Sequence, residues 1–319
     1  MFALDVFPDK KLGRFLKIME QIIVQSDEPI RLDRYLRRHY PNLTQGVIEK
    51  SLRKGNIKLN GNRSKTSMRV VQGDVITIAS RAFVSKIESA EDSIKQFSQN
   101  VISLASKLLS EYILFSSEEF IAIDKPTGLA VQGGSKISLS IDDALRYINY
   151  TENAEYKLVH RLDKDTSGVL LIAKGFNSAA KLGEAFRDKL ISKTYIAILS
   201  GCPAKLEGTL VHKIGKDRSG IFEIVKELPE SGTVARTHYK VLQSTGDLSL
   251  VEFRPATGRM HQLRFHSQFL GCPIVGDNKY GGKKNNRMLL HAQNIVIPAS
   301  VFGSKITVKS ELPGEFDLK

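Results

Sequence analysis

Three groups of residues in this chain of 319 have types that chemistry requires. The first is the run His160-Arg161-Leu162-Asp163-Lys164-Asp165-Thr166-Ser167-Gly168. It lies between two apolar runs, Leu158-Val159 and Val169-Leu170-Leu171-Ile172, which read as buried strands bounded by turn residues. A hairpin needs only a tight turn such as Asn-Gly, so this loop holds more charge than chain reversal demands. The second is Tyr195, in the apolar strand KTYIAILSG. A lone tyrosine there is most simply a core residue with its hydroxyl satisfied. The third is TGRMHQLRFH, residues 257–266, which carries Arg259, His261 and Arg264. Its pattern predicts a helix with Thr257 near its start and Gly271 as its stop, and with His261, Arg264 and Gln268 on one face.

Several chemistries use such residues. Asp163-Lys164-Asp165-Thr166 fits D-x-D-x-T, in which the first carboxylate attacks phosphorus beside a magnesium ion. His160 and Arg161 stand where an unbroken apolar strand belongs in that scheme, and Asp277 supplies only one downstream acid for the metal. Asp163 with Asp165 could form a glycosidase pair, but residues two apart on an extended chain would converge poorly on one bond. No glycine-rich phosphate loop and no dinucleotide fingerprint occur. The two cysteines, Cys202 and Cys272, form no framework and no close metal-ligand pair. The expectation is a reducing, cytoplasmic setting with no metal and no cofactor.

The elements that must position these groups read as strands with a few helices between them. From Tyr112 onward, YILF, FIAIDK, KTYIAILSG, VARTHYKVLQ, LSLVEFRP and MLLHAQNIVIP are strand-like, and SAAKLGEAFRDK is helical. This predicts an α+β domain with a mixed, mostly antiparallel sheet, spanning 111–319. A small α+β module precedes it at 29–80. There RLDRYLRRH is a helix stopped by Pro41. Thr44 caps a second helix, which ends at Gly55. Asn60-Gly61 and Gln72-Gly73-Asp74 are turns. Residues 1–28 read as an extension and the serine-rich 81–110 as a linker containing some helix. No apolar run approaches a membrane span, and no signal peptide is legible.

The formal net charge is +13. Residues 29–80 hold eleven Lys/Arg against Asp33, Glu49 and Asp74. Such a one-signed field attracts a polyanion, usually nucleic acid. The candidate contacts are Arg31, Arg34, Arg38, Lys50, Arg53, Lys54 and Lys58. RLDRYL, VIEKSLRKGNIKLNG and QGDVI resemble the alpha-L RNA-binding motif of a small-subunit ribosomal protein and of several RNA-modifying enzymes. That likeness implies RNA binding and leaves catalysis open, so a purely RNA-binding scaffold stays an alternative.

HRLDKDTSGVLLIAK closely resembles the signature of the pseudouridine synthases that modify ribosomal and transfer RNA. IAIDKPTGLAV, KTYIAILSG, TGRMHQLRFH, GCPIVGDNKYGG and LLHA follow in family-like order. The basic module, AVQGGS and the chain length resemble the C-type synthases of large-subunit ribosomal RNA. Phe265 departs from the small aliphatic more usual there. The resemblance implies isomerisation of uridine without redox cofactor, ATP or metal. It implies Asp163 as nucleophile, Arg264 as the cation that keeps it ionised, and Tyr195 stacked on an everted uracil. His160, Arg161, Thr166, Arg259 and His261 are then expected around the substrate. The expected partner is large-subunit ribosomal RNA, naked or in an assembling particle. Transfer RNA is the alternative, and the chain is expected to be a monomer away from membranes.

Overall fold

The computed structural model describes residues 19–26, 29–40, 45–79, 97–134, 137–217 and 224–318. These fall into two compact units that divide between Phe97 and Ser98.

In the smaller unit, β1 (Met19–Ile23), β2 (Ile30–Arg31), β3 (Ile57–Leu59), β4 (Arg69–Val70) and β5 (Val75–Ala79) accompany helices Leu32–His39 and Gln45–Lys54. The strands form a three-stranded sheet, β1-β5-β3, and a β2-β4 pair, all antiparallel. Leu32, Tyr35, Leu36, Ile48 and Leu52 pack with Ile57, Ile76 and Ile78 in its core. The turns sit where the sequence puts them: Gly55, Asn60, Gly61 and Gly73 all have positive φ. Thr44, read as a helix cap, lies outside the described residues.

The larger unit is α+β. Its strands are β6 (Ile113–Ser116), β7 (Phe120–Lys125), β8 (Tyr156–Leu158), β9 (Ser167–Lys174), β10 (Ser192–Ser200), β11 (Glu207–Lys216), β12 (Val225–Glu227), β13 (Thr233–Ser244), β14 (Leu248–Pro255), β15 (Leu290–Ile297) and β16 (Ile306–Lys309). They build one eleven-stranded sheet of order β12-β11-β13-β14-β10-β15-β9-β7-β6, with β16 beside β15 and β8 beside β9. Every pairing is antiparallel except β9 with β15. β9 is buried along nearly its whole length, which explains why its sequence is a continuous apolar run rather than an alternation. Within the stretch read as a linker, helix Gln99–Ser110 buries Val101, Leu104, Ala105 and Leu108 and belongs to the larger unit. No described helix is long and apolar enough to cross a membrane.

The parallel contact between β9 and β15 is short and close. It pairs Ser167 with His291 and Gly168 with Ala292. Gly168 has φ +105, and a Cβ there would lie 2.2 Å from the Ala292 carbonyl oxygen. Only glycine lets the two backbones approach this way. Gly168→Ala should therefore lose about 3 kcal/mol or more in urea unfolding. Gly183 sits inside helix Gly175–Arg187 with no atom near its Cβ position. Gly183→Ala should gain about 0.5–1 kcal/mol in the same measurement.

Candidate active site

β8 and β9 deliver the charged loop. Thr166 N–H donates to the Asp163 carbonyl (3.1 Å), closing a tight turn at Lys164-Asp165. The exposed side chains of Lys164 and Asp165 leave Asp163 as the carboxylate that lines the cavity. From the other side comes TGRMHQLRFH, but its helix starts later than the pattern predicts. The helix is Gln262–Phe269, and residues 257–261 are a loop. His261 is not in the helix; it is a left-handed residue (φ 51) at the N-cap. The loop is held by Gln262, whose Oε1 accepts from Thr257 Oγ1 (2.7 Å) and Arg259 N–H (3.0 Å). Gln262 Nε2 donates to the Arg236 carbonyl and to Thr237 Oγ1, both at 2.9 Å. These bonds, invisible to periodicity, win over helix continuation. Gly271 does follow the helix in a left-handed conformation.

The two segments bring Arg264 Nη1 to 3.7 Å from Asp163 Oδ2. The strongest bonds of this guanidinium go elsewhere. Its Nε and Nη2 each donate to Asp277 at 2.7 Å, a bidentate pair in which both side chains are buried. Burial disfavours the Arg264 charge, yet Asp277 and Asp163 together hold its pKa above the ordinary value. The Tyr280 ring lies beneath the same guanidinium, 5.0 Å away. Sequence reasoning met Asp277 only as a lone downstream acid of a rejected metal site, and gave Tyr280 no role. The available signal was GDNKYGG, where an acid and an aromatic stand between glycines. Gly276 there has φ +81, and a Cβ would lie 1.9 Å from the Arg287 carbonyl oxygen. The glycine is what lets Asp277 turn under the helix.

His261 Nε2 stands 3.9 Å from Asp163, and its Nδ1 lies 3.1 Å from the Tyr280 hydroxyl. Burial pushes His261 down to about 4, despite the attraction of Asp163. It is a neutral imidazole near pH 7. Tyr195, on β10, lines the same cavity. Burial, reinforced by the Asp163 charge, raises its hydroxyl well above the ordinary value, so the phenol keeps its proton. His160 also lines the cavity, but its ring is committed. Nε2 accepts the Leu171 N–H (2.8 Å), in place of a strand carbonyl, and the ring stacks on Phe186 at 4.5 Å. Burial pushes it down to about 3. Thr166 is buried at the cavity wall, Arg161 is exposed at its mouth, and Arg259 Nε donates to the Val234 carbonyl (3.1 Å).

The cavity these residues share has a volume of about 710 Å³, within the range of small-ligand sites. Among the described residues no cluster of three or more His, Cys, Asp or Glu could hold a metal ion. The loop itself is gripped from behind. Lys125, fully buried, donates to the carbonyls of Pro126 (2.8 Å), Leu129 (2.8 Å) and Lys164 (2.9 Å). Thr127 Oγ1 donates to the Asp165 carbonyl (2.8 Å). Lys125 was another residue that sequence reasoning passed over.

In the smaller unit the candidate RNA contacts divide. Arg31 is tied to Asp33 through two bonds, of 3.0 and 2.7 Å. Arg34, Lys50, Arg53, Lys54 and Lys58 are exposed. Nothing is described of the Arg38 side chain.

Comparison with known proteins gives a consistent picture. The family described as RNA pseudouridylate synthase matches residues 119–269. "Ribosomal large subunit pseudouridine synthase C" of Rickettsia bellii (strain RML369-C) is 48% identical over 303 residues, 93% of this chain and 99% of that protein. The protein of the same name from Haemophilus influenzae (strain ATCC 51907 / DSM 11121 / KW20 / Rd) is 32% identical, covering 87% and 86%. Among solved structures, human RNA pseudouridylate synthase domain containing 4 superposes with a TM-score of 0.58 at 29% identity, over 68% of this chain and 94% of that one.

The asymmetry of the two carboxylates is measurable. Asp277→Ala leaves a buried guanidinium without its main partner and should lose about 3–5 kcal/mol in chemical denaturation. Asp163→Ala, which removes a partly exposed carboxylate while Asp277 stays, should lose under about 1 kcal/mol.

Proposed function

Because the chain belongs to the RNA pseudouridylate synthase family, we propose that it isomerises uridines of large-subunit ribosomal RNA with Asp163 as nucleophile. The chain is an RNA pseudouridine synthase, an isomerase. The choice of RNA rests on the names of relatives that align along nearly their whole length. The observation that carries the role of Asp163 is its oxygen, 3.7 Å from a guanidinium that Asp277 fixes, in a cavity also lined by Tyr195.

The reaction breaks the N1–C1′ bond of uridine and joins C5 to C1′. N1 gains a proton and C5 loses one, so nothing is oxidised or reduced. Neither reacting carbon is reachable inside a stacked helix, and everting the nucleotide costs a few kcal/mol. Stacking on Tyr195 returns roughly 1–3 kcal/mol. Asp163 then meets C1′ while Arg264, permanently charged, faces the carboxylate and cannot leave it. His261, neutral, presents an N–H or a lone pair to the same space, and Arg161 and Arg259 meet the RNA at the mouth. Thr166 shapes the loop, and His160 holds the loop against β9.

In this reading residues 29–80 form the RNA-binding module and 111–319 the catalytic domain. Helix 99–110 packs with the latter, so the linker is its preceding part. The exposed Arg34, Lys50, Arg53, Lys54 and Lys58 contact phosphates, which position without reading sequence. Arg31 contributes less, since Asp33 already neutralises it. The enzyme acts as a cytoplasmic monomer, on naked RNA or on an assembling particle. No observation favours the binding-only alternative, which has no use for the Asp163–Arg264–Asp277 cluster.

Asp163→Asn should abolish tritium release from C5-labelled large-subunit RNA while binding stays within about twofold. Retained turnover would remove Asp163 from its role. Replacing Lys50, Arg53 and Lys54 together by Gln should lower the slope of log K against log salt by about 2, at roughly 0.7–0.9 per phosphate contact. Turnover at saturating RNA should be unchanged.

A further inference from the structure

β10 sends two side chains into the cavity, Lys193 and Tyr195. They are two residues apart, so they share a face of the strand, about 7 Å from each other along it. Tyr195 has its role in the reading above. Lys193 has none, and its surroundings are unusual. It is partly buried, and it has no hydrogen bond and no ion pair with any described residue. Among the described residues of this unit the fully buried cations are satisfied: Arg264 by Asp277, and Lys125 by three carbonyls. The Lys193 charge also helps burial to keep His160 neutral.

A desolvated ammonium without a partner is costly. Burial does lower the Lys193 pKa. The protein also keeps space in front of it. Gly258, in the loop before the Arg264 helix, would place a Cβ 3.6 Å from Lys193 Nζ, and it carries none. The ammonium thus faces an open part of the cavity beside a residue without a side chain.

We propose that Lys193 is a phosphate subsite of the active-site cavity, which takes the backbone phosphate next to the everted uridine. This rests on the reading of the cavity as the uridine site. A base stacked on Tyr195 carries its own phosphodiester along the strand toward Lys193, and that anion supplies the charge the protein withholds. The subsite fixes the sugar relative to Asp163 and makes eversion of a nucleotide, rather than entry of a free base, the productive event.

The test uses the full chain and a short large-subunit RNA stem-loop that the wild type isomerises, shown by tritium release. Binding is measured over a salt series for wild type, Lys193→Met and Lys193→Arg. It is repeated with an uncharged methylphosphonate on the 5′ side, then on the 3′ side, of the target uridine. Lys193→Met should bind about tenfold more weakly, with a salt slope lower by about 0.7–0.9, one phosphate contact. Lys193→Arg should restore the slope. One of the two methylphosphonates should weaken wild-type binding and leave Lys193→Met unaffected. If Lys193→Met keeps the wild-type slope and suffers the same penalty from both methylphosphonates, the subsite does not exist. A wild type that isomerises transfer RNA alone would instead overturn the substrate assignment, and the same comparison on that RNA would still decide the subsite.

Discussion

Two carboxylates compete for one buried guanidinium, and the geometry of the cavity follows from which of them wins. Asp277 takes Arg264 Nε and Nη2 at 2.7 Å, leaving Nη1 3.7 Å from Asp163. A buried ion pair is poor value as a source of stability, because desolvation offsets most of the attraction. Its worth here is positional. A planar guanidinium clamped on one edge, with a tyrosine ring against its face, has one orientation left. Asp163 therefore faces a fixed positive charge without being consumed by it. Were Asp277 absent, the fork of Arg264 would be left open to Asp163.

The backbone that carries Asp163 is held by side chains that reach it from behind. Lys125 and Thr127 bind carbonyls of the loop at Lys164 and Asp165. Ser167 Oγ sits between His291 Nδ1 at 2.9 Å and Arg287 Nη2 at 2.6 Å. Gly168 then lies against β15. Each grip is on the main chain or on a short hydroxyl, so the loop is fixed while Lys164 and Asp165 stay exposed. Burial pulls Lys125 down to about 7 although nearby Asp165 and Asp163 oppose it. Placing so reluctant a cation under the loop makes sense where three carbonyls must be gathered at one point. Reacting groups need such support from their neighbours to keep a productive geometry.

What the sequence made legible was local. The apolar run of β9, the strand ending at Pro255 and the helix stops at Gly55 and Gly271 are written in residue types and short spacings. So was the α+β class. The start of the Arg264 helix was not, because Gln262 satisfies the 257–261 loop through bonds to β13, more than twenty residues away in the chain. The same limit hid the role of Asp277 as the partner of Arg264. Its partner is thirteen residues distant and the turn that presents it depends on Gly276 meeting the Arg287 carbonyl. Lys125 and Lys193 look alike in the sequence, as lysines within apolar strands. Only contacts separate the one that is saturated from the one that is bare.

That separation bears on how a net charge of +13 should be read. Charge counts treat every cation as available to a polyanion, yet several of these are spent inside the protein. Arg31 is closed by Asp33, Arg146 by Asp143, and Arg264 by Asp277. Others keep their charge for something outside: Arg34, Lys50, Arg53 and Lys54 in the smaller unit, and Arg161, Lys189 and Lys193 around the cavity of the larger one. Those three of the larger unit line a cavity whose acidic member faces Arg264. A negatively charged ligand entering that cavity therefore meets cations beside Asp163. An anionic backbone must be brought to an anionic nucleophile, and the pairing pattern of the cations resolves that conflict in a way their number alone could not.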